Sequence, residues 1–110
     1  MSGWSCIKKS QHSRARTGVL YTQHEPLDTP VFMPIATRGV VKSLGSRDLL
    51  ELQANMILAN TYHLLLRPGK KVMLDYHGLH QFMSWPKSLL TDSGGYQVFS
   101  LAKHRKITDQ

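Results

Sequence analysis

Ser88-Leu89-Leu90-Thr91-Asp92-Ser93-Gly94-Gly95-Tyr96-Gln97-Val98-Phe99-Ser100 is the stretch on which the reading of this chain turns. The apolar pair Leu89-Leu90 reads as the end of a buried strand. The run stops at Thr91-Asp92-Ser93 and breaks into Gly94-Gly95, which permits backbone conformations other residues avoid. Tyr96 follows at once. This order sets a carboxylate and a hydroxyl at the C-terminal edge of a strand, where ligands bind in α/β folds. The glycines would let a ligand approach the backbone, and the aromatic face could cover a flat ring. The same residues also read as a plain tight turn, with Asp and Ser bonding their own backbone and Gly supplying positive φ. From the residues alone both readings stand.

Working outward, Met56 to Ala59 is a second buried strand, ended by Asn60-Thr61. The residues between Ile35 and Gly45 form a loop carrying Arg38 and Lys42. Ser46 is a good N-cap, with Asp48 in the first turn and Leu49, Leu50 and Leu52 as the apolar face of a helix to about Ala54. Pro30 to Pro34 is predicted as a strand with prolines limiting both ends. Thr17 to Thr22 is another, and the turn at Gln23 to Thr29 would make the two a hairpin. Pro68 suits the start of a helix to about Tyr76 with Gly78 as its stop. Leu79 to Trp85 carries Leu79, Phe82 and Met83 at helical spacing, and Pro86 ends it. Strand, helix and strand within about 30 residues argue for a parallel α/β unit. The expected fold is therefore α/β, with three parallel strands and two helices after an antiparallel segment. A closed barrel of this kind needs eight units and about 250 residues, so the chain is expected to be part of one.

Composition sets the bounds. The chain has 110 residues, 41% of them hydrophobic and 19% charged, which suits a globular domain and not a disordered tail. No apolar run approaches the roughly 20 residues that span a bilayer. Met1 to Ser10 lacks the apolar core of a signal peptide, so the cytoplasm is the expected compartment. The single cysteine, Cys6, excludes an internal disulfide framework and a cysteine-cluster metal site within this chain. The net charge is +7, and Lys8, Lys9, Arg14 and Arg16 precede any acidic residue. Arg67/Lys70/Lys71 and Lys103/Arg105/Lys106 are further basic clusters. A polyanion such as RNA is the natural partner of this excess, although a solvated surface accounts for it equally. Residues 1–16, basic and Ser-rich, are expected to be a loosely ordered lead-in to a domain at 17–110.

Other candidates carry less. His63 lies three residues after Asn60 and reads first as a packed or hydrogen-bonded histidine. His77 and His80 straddle Gly78 and make a poor metal pair. Leu64-Leu65-Leu66 and Met33, Met56, Met73 and Met83 read as core, and Trp85 as a packing residue beside a turn. Asn60 would sit beside the strand ending at Asp92. Its amide could orient that carboxylate or cap the following turn, and both remain open.

Three blocks carry a resemblance. Leu90-Thr91-Asp92-Ser93-Gly94-Gly95-Tyr96-Gln97-Val98-Phe99-Ser100 resembles the active-site signature of the tRNA-guanine transglycosylases, also called queuine tRNA-ribosyltransferases. Ala59-Asn60-Thr61-Tyr62-His63-Leu64 with Leu66-Arg67-Pro68-Gly69 resembles a second block of that family, and Thr29-Pro30-Val31-Phe32-Met33-Pro34 the entry to its first barrel strand. The similarity runs from about Arg14 to the last residue, in family order and spacing. Lys106-Ile107-Thr108-Asp109-Gln110 also matches, at a point where the family pattern continues with a glycine.

The resemblance implies the N-terminal part of a TIM (β/α)8 barrel, incomplete as a barrel, from an enzyme that exchanges guanine in the tRNA anticodon for a free modified base. In the bacterial branch, which the motifs favour, that base is 7-aminomethyl-7-deazaguanine, the queuosine precursor. By resemblance Asp92 is the general acid/base, and a carboxylate from a later strand attacks the ribose carbon. Asp92, Ser93, Gly94, Gly95 and Tyr96 would line the base pocket, with Asn60 orienting Asp92. Phe is commoner in the family at the Tyr96 position, and stacking needs only the ring face. The family's zinc site, three cysteines and a histidine, falls beyond Gln110, as does the nucleophile. The resemblance also implies tRNA and a 7-deazaguanine base as partners and a homodimer for full-length members. It leads us to expect that the isolated chain is inactive and folds poorly. A truncated, non-catalytic tRNA- or partner-binding paralogue, and a remnant without function, are the rival readings.

Overall fold

The computed structural model describes residues 3–100. The Lys103/Arg105/Lys106 cluster and the motif at 106–110 therefore lie outside the described residues. Strands β1 (Gly3–Lys9), β2 (Arg16–Tyr21) and β3 (Leu27–Thr29) form an antiparallel sheet in that order. Helix α1 (Ser46–Glu51) leads to β4 (Met56–Asn60), α2 (Thr61–Leu64) and a π-helical stretch over Leu65–Gly69. Then come α3 (Lys70–Asp75), α4 (Leu79–Met83), β5 (Ser88–Asp92) and α5 (Gly95–Ser100). β4 and β5 pair in parallel, in a register that sets Met56 opposite Ser88 and Asn60 opposite Asp92. Ile35 adds a single parallel bridge to Leu58 on the other side of β4. The content is thus mixed α/β, with a short antiparallel sheet ahead of a parallel one.

The first correction concerns the lead-in. Gly3–Lys9 is a strand, paired with β2 along its length with an irregularity between Cys6 and Lys8. All seven of its residues are exposed, so no buried face writes a hydrophobic alternation into the sequence. What holds it is the backbone ladder and Trp4. The indole Nε1 of Trp4 donates to Thr29 Oγ1 at 2.8 Å, and the Arg16 guanidinium lies 5.7 Å from its ring centre. The ring covers Gly18, where an added Cβ would stand 2.5 Å from Trp4 Cε2 and against the Ser5 carbonyl. Gly18→Ala should therefore cost about 1–3 kcal/mol by overpacking, seen as a lower urea midpoint at unchanged slope.

The second correction moves a strand. Pro30 to Pro34 is not a strand, and the hairpin partner of β2 is Leu27–Thr29. Pro30 and Pro34 lack the N–H a ladder needs. The contact with β4 is made just beyond them, where Leu58 N donates to Pro34 O (3.0 Å) and Ala36 N donates to Leu58 O (2.7 Å). The predicted helix at 68–76 is also shorter. Arg67 is extended (φ −153°, ψ 123°), as a residue before proline tends to be, and α3 begins only at Lys70.

At α1 the cap is Gly45, not Ser46, and the helix ends at Glu51, short of Ala54. Asp48 Oδ2 accepts from Gly45 N at 2.7 Å, which frees Ser46 Oγ to donate to Met83 O at 2.6 Å. That bond helps set α1 against α4. Between them and β4 sits the core of Ala36, Leu49, Ile57, Met83 and Trp85, with Leu89 of β5 packed against it. Leu65 and Leu66, expected in the core, are more than half exposed.

The two sheets meet at the start of β5. Thr22 Oγ1 and Ser88 Oγ are 2.9 Å apart, Lys87 Nζ is 3.4 Å from Glu25 Oε1, and His24 stacks on His80 at 4.4 Å. The antiparallel sheet is thereby fastened to the N-terminal ends of the parallel strands. Their C-terminal ends are left free for the candidate site.

Candidate functional site

β4 ends in Asn60 and β5 in Asp92, and parallel pairing in register brings the two side by side. Asn60 Nδ2 donates to Asp92 Oδ2 at 3.2 Å, and the backbone N–H of Thr61 donates to Asp92 Oδ1 at 3.4 Å. Each carboxylate oxygen therefore has one donor from the same strand end, which fixes the plane of the group. The Asn60 side chain is also the cap of α2, its Oδ1 accepting from His63 N at 3.1 Å. The two roles left open in the sequence are both filled by one amide, through its two ends. Asn60 is only 6% exposed, so each polar atom of its amide needs a partner. Asp92 is half-buried, and its two oxygens keep acceptor capacity beyond these two bonds.

The turn after Asp92 is shaped by a residue the sequence reading passed over. Gly94 has φ +66°, and a Cβ added there would lie 2.6 Å from the Cβ of Tyr62. Tyr62, 9% exposed, packs under the turn from the first turn of α2. Gly94 is thus demanded twice by packing and backbone, before any ligand is considered. The available signal was position, since Tyr62 directly follows the Asn60-Thr61 strand end. Ser93 is exposed, and its Oγ accepts from Gly95 N at 3.4 Å, so it closes the turn locally. Tyr96, in the first turn of α5, is 79% exposed and its ring face is open to a flat partner. The structure thus brings Asn60, Thr61 and Asp92 into contact, with Ser93, Gly94, Gly95 and Tyr96 following in one strand–turn–helix.

The histidines lie elsewhere. His80 is bonded to Lys87 O through Nε2 at 2.9 Å and stacked on His24. His77 follows α3 with φ +57°. Among the described residues no three His, Cys, Asp or Glu side chains converge as a metal site, and Cys6 is exposed on β1. A zinc site of three cysteines and a histidine does not fit these residues, and no step below runs through zinc.

Among the described residues the other acids lie away from this edge, Asp28 on β3 opposite Val19. Glu51 pairs with Arg47, Asp75 with Lys71 and Glu25 with Lys87, while Asp48 caps α1. The chemistry available here is therefore that of one oriented carboxylate at the end of a parallel strand. Such a group can accept a proton from, or return one to, a ligand laid across the edge.

Comparison with known proteins shows the family of the chain. The family model for queuine tRNA-ribosyltransferase matches residues 10–110. A queuine tRNA-ribosyltransferase of Lactiplantibacillus plantarum is 55% identical over 104 residues, covering 94% of this chain and 27% of the relative. That of Solibacter usitatus is 55% identical over 102 residues, 92% of this chain and 27% of the relative. That of Thermoanaerobacter pseudethanolicus is 53% identical over 103 residues, 94% and 28%. The chain thus spans little more than a quarter of the length of these relatives. On a family match across most of its length, the chain belongs to the queuine tRNA-ribosyltransferase family.

Proposed function

We propose that this chain supplies the acid/base half of a tRNA base-exchange site, with Asp92 as the general acid/base. The observation that carries the reading is the pair of donors on Asp92, one to each oxygen, from the end of the neighbouring strand. In the exchange a second carboxylate attacks C1′ of the target ribose and the C1′–N9 bond breaks. Guanine leaves with that electron pair and takes its proton from Asp92. The incoming base, 7-aminomethyl-7-deazaguanine on this reading, gives its proton back to Asp92 as its nitrogen bonds to C1′ and the C1′–O bond breaks, returning that electron pair to the second carboxylate. Asn60 and Thr61 hold the carboxylate plane through both transfers. Ser93, Gly94 and Gly95 form the pocket rim, and the Tyr96 ring stacks on the base.

The rest of the proposal follows from the family. The parallel segments at Ile35, β4 and β5 open a TIM barrel, and the nucleophilic carboxylate and zinc-binding residues of the family lie beyond Gln110. The described residues offer one oriented carboxylate, so on this reading the chain by itself does not exchange bases. tRNA is the partner, the working enzyme is a cytoplasmic homodimer, and 17–110 is the portion that joins the barrel.

The test is a chimera in which this chain replaces the matched segment of the Lactiplantibacillus plantarum relative. Labelled guanine should enter tRNA with the chimera and not with the chain alone. An inactive chimera of native stability would overturn the catalytic reading and favour a non-catalytic, tRNA-binding paralogue. Asn60→Ala in the chimera removes one charge-assisted hydrogen bond from Asp92. About 1.5–3 kcal/mol is at stake in such a bond, so exchange should fall roughly 10- to 100-fold. The reading expects that fall in turnover more than in tRNA KM.

A further inference from the structure

The β1–β2 hairpin carries an electrostatic conflict that the fold does not resolve. Lys9 and Arg16 are direct cross-strand partners, and Lys8 is opposite Thr17. Like charges set across an antiparallel ladder are destabilising. No acidic residue precedes Glu25 to relieve them. Among the described residues the salt bridges are Arg47–Glu51, Lys71–Asp75 and Lys87–Glu25, none of them on this hairpin. Asp28, the acid of the adjoining strand, stands opposite Val19 and is three positions removed from Arg16.

The hairpin is also preformed. Ser10 Oγ accepts from His12 N (3.1 Å), Ser13 Oγ from Ala15 N (3.2 Å), and Ser10 N donates to Ala15 O (2.9 Å). Arg16 is braced over the Trp4 ring. Beside the hairpin lies a groove of about 320 Å³ lined almost wholly by carbon atoms, including the side-chain stems of Lys8, Lys9 and Arg16, with Ala15, Thr17 and Pro30. β1 buries none of its residues, so hydrophobic burial does not account for this arrangement.

We propose that the β1–β2 hairpin is a phosphate-binding surface for RNA, with Lys8, Lys9, Arg14 and Arg16 as its cations. The proposal rests on the tRNA reading above. A polyanion placed along the groove converts the Lys9–Arg16 repulsion into two attractive contacts. Because the hairpin's sheet meets β5 at Ser88, the far end from Asp92, the phosphates bound here belong to a part of the RNA remote from the exchanged nucleotide. An anionic membrane fits less well. Trp4 and Ile7 are the exposed large apolar side chains of β1, and Trp4 is tethered by its bond to Thr29 and its contact with Arg16, so the hairpin offers no broad apolar face to insert.

The test measures binding of labelled tRNA to the full chain by anisotropy across a salt series. Wild type should bind with affinity falling steeply with salt. Lys9→Gln with Arg16→Gln should weaken binding roughly tenfold at low salt and reduce the log–log salt slope by about 1.5–2. The same variant loses the Lys9–Arg16 repulsion and also the Arg16–Trp4 contact, two small opposed effects, so its urea midpoint should stay near that of wild type and weaker binding cannot be put down to unfolding. Arg47→Gln with Lys71→Gln removes equal charge and should leave affinity near wild type. No tRNA binding by wild type, equal loss in both variants, or hairpin-dependent binding to phosphatidylserine vesicles but not to tRNA would each overturn the proposal. Exchange by the chimera separates the two readings. Asp92-dependent exchange with a silent hairpin defeats only this proposal, and hairpin-dependent binding without exchange defeats only the catalytic one.

Discussion

Asp92→Asn in the chimera is expected to lower base exchange by about 10²–10⁴-fold, the span of a lost general acid/base, while leaving the fold intact. The substitution conserves shape, and its carbonyl oxygen can still accept from Thr61 N. The other end of the new amide would point an N–H₂ at Asn60 Nδ2, donor against donor. Asn60 could flip to present its oxygen, but that withdraws the acceptor now used by His63 N. A modest stability loss of about 1 kcal/mol accompanies the change, and loss of exchange by itself could be blamed on this local clash. Combining Asp92→Asn with Asn60→Asp resolves it. The swapped pair restores one donor facing one acceptor and keeps an oxygen for His63 N. If Asp92 moves protons, the swapped pair regains thermal stability and stays inactive. If exchange returns with stability, Asp92 is only a structural partner of Asn60 and the acid/base reading is wrong.

The legible parts of this chain are those where burial and backbone chemistry agree. Met56–Asn60 and Ser88–Asp92 are short apolar runs stopped by polar residues, and both are strands whose ends coincide with the stops. From those stops the contact between Asn60 and Asp92 was within reach, because parallel strands in register place their C-terminal ends together. β1 was not legible, since a strand with every residue exposed is held by hydrogen bonds that any sequence can make. Gly45 took the cap from Ser46 because Asp48 reaches back to its N–H, and Ser46 had a better partner in Met83 O. That competition is tertiary and has no local trace. Tyr62 was missed for a related reason. Its role is to fill the space beneath Gly94, and a close approach between residues 32 apart leaves only a glycine at one end as a mark.

Two polar layers therefore bound the parallel strands of this family segment. At the start of β5, Thr22, Glu25 and His24 meet Ser88, Lys87 and His80 and hold the antiparallel sheet in place. At the finish, Asn60 and Thr61 meet Asp92. The first layer joins the two sheets and leaves Glu25 Oε1 buried with only the 3.4 Å ion pair to Lys87, whereas the second leaves a half-buried carboxylate with spare acceptor capacity. The two ends are joined by five in-register residue pairs, so the position of one end sets the position of the other.

Trp85→Ala should have the largest effect on stability, because Trp85 joins the start of β5 to the core. It is 2% exposed and packs with Ala36, Leu49, Ile57 and Met83. Its Nε1 donates to Ser88 O at 3.0 Å, on the residue whose hydroxyl meets Thr22. Its own N–H donates to His80 O at 2.9 Å, tying it to α4. Truncating a buried Trp costs about 3–5 kcal/mol, and stranding the Ser88 carbonyl adds about 1 kcal/mol or more. Small domains are stable by about 5–15 kcal/mol in all, so the isolated chain should lose its cooperative transition, followed by circular dichroism in urea. Trp85→Phe keeps an aromatic body but not the N–H donor, and should lose only about 1–3 kcal/mol. The difference between the two variants separates packing from the hydrogen bond. In the chimera, Trp85→Phe should retain exchange, since the far end of β5 carries Asp92 and the register between them is unchanged. A Trp85→Phe chimera that is stable but has lost exchange would show that the start of β5 controls the Asp92 edge through more than a fixed register.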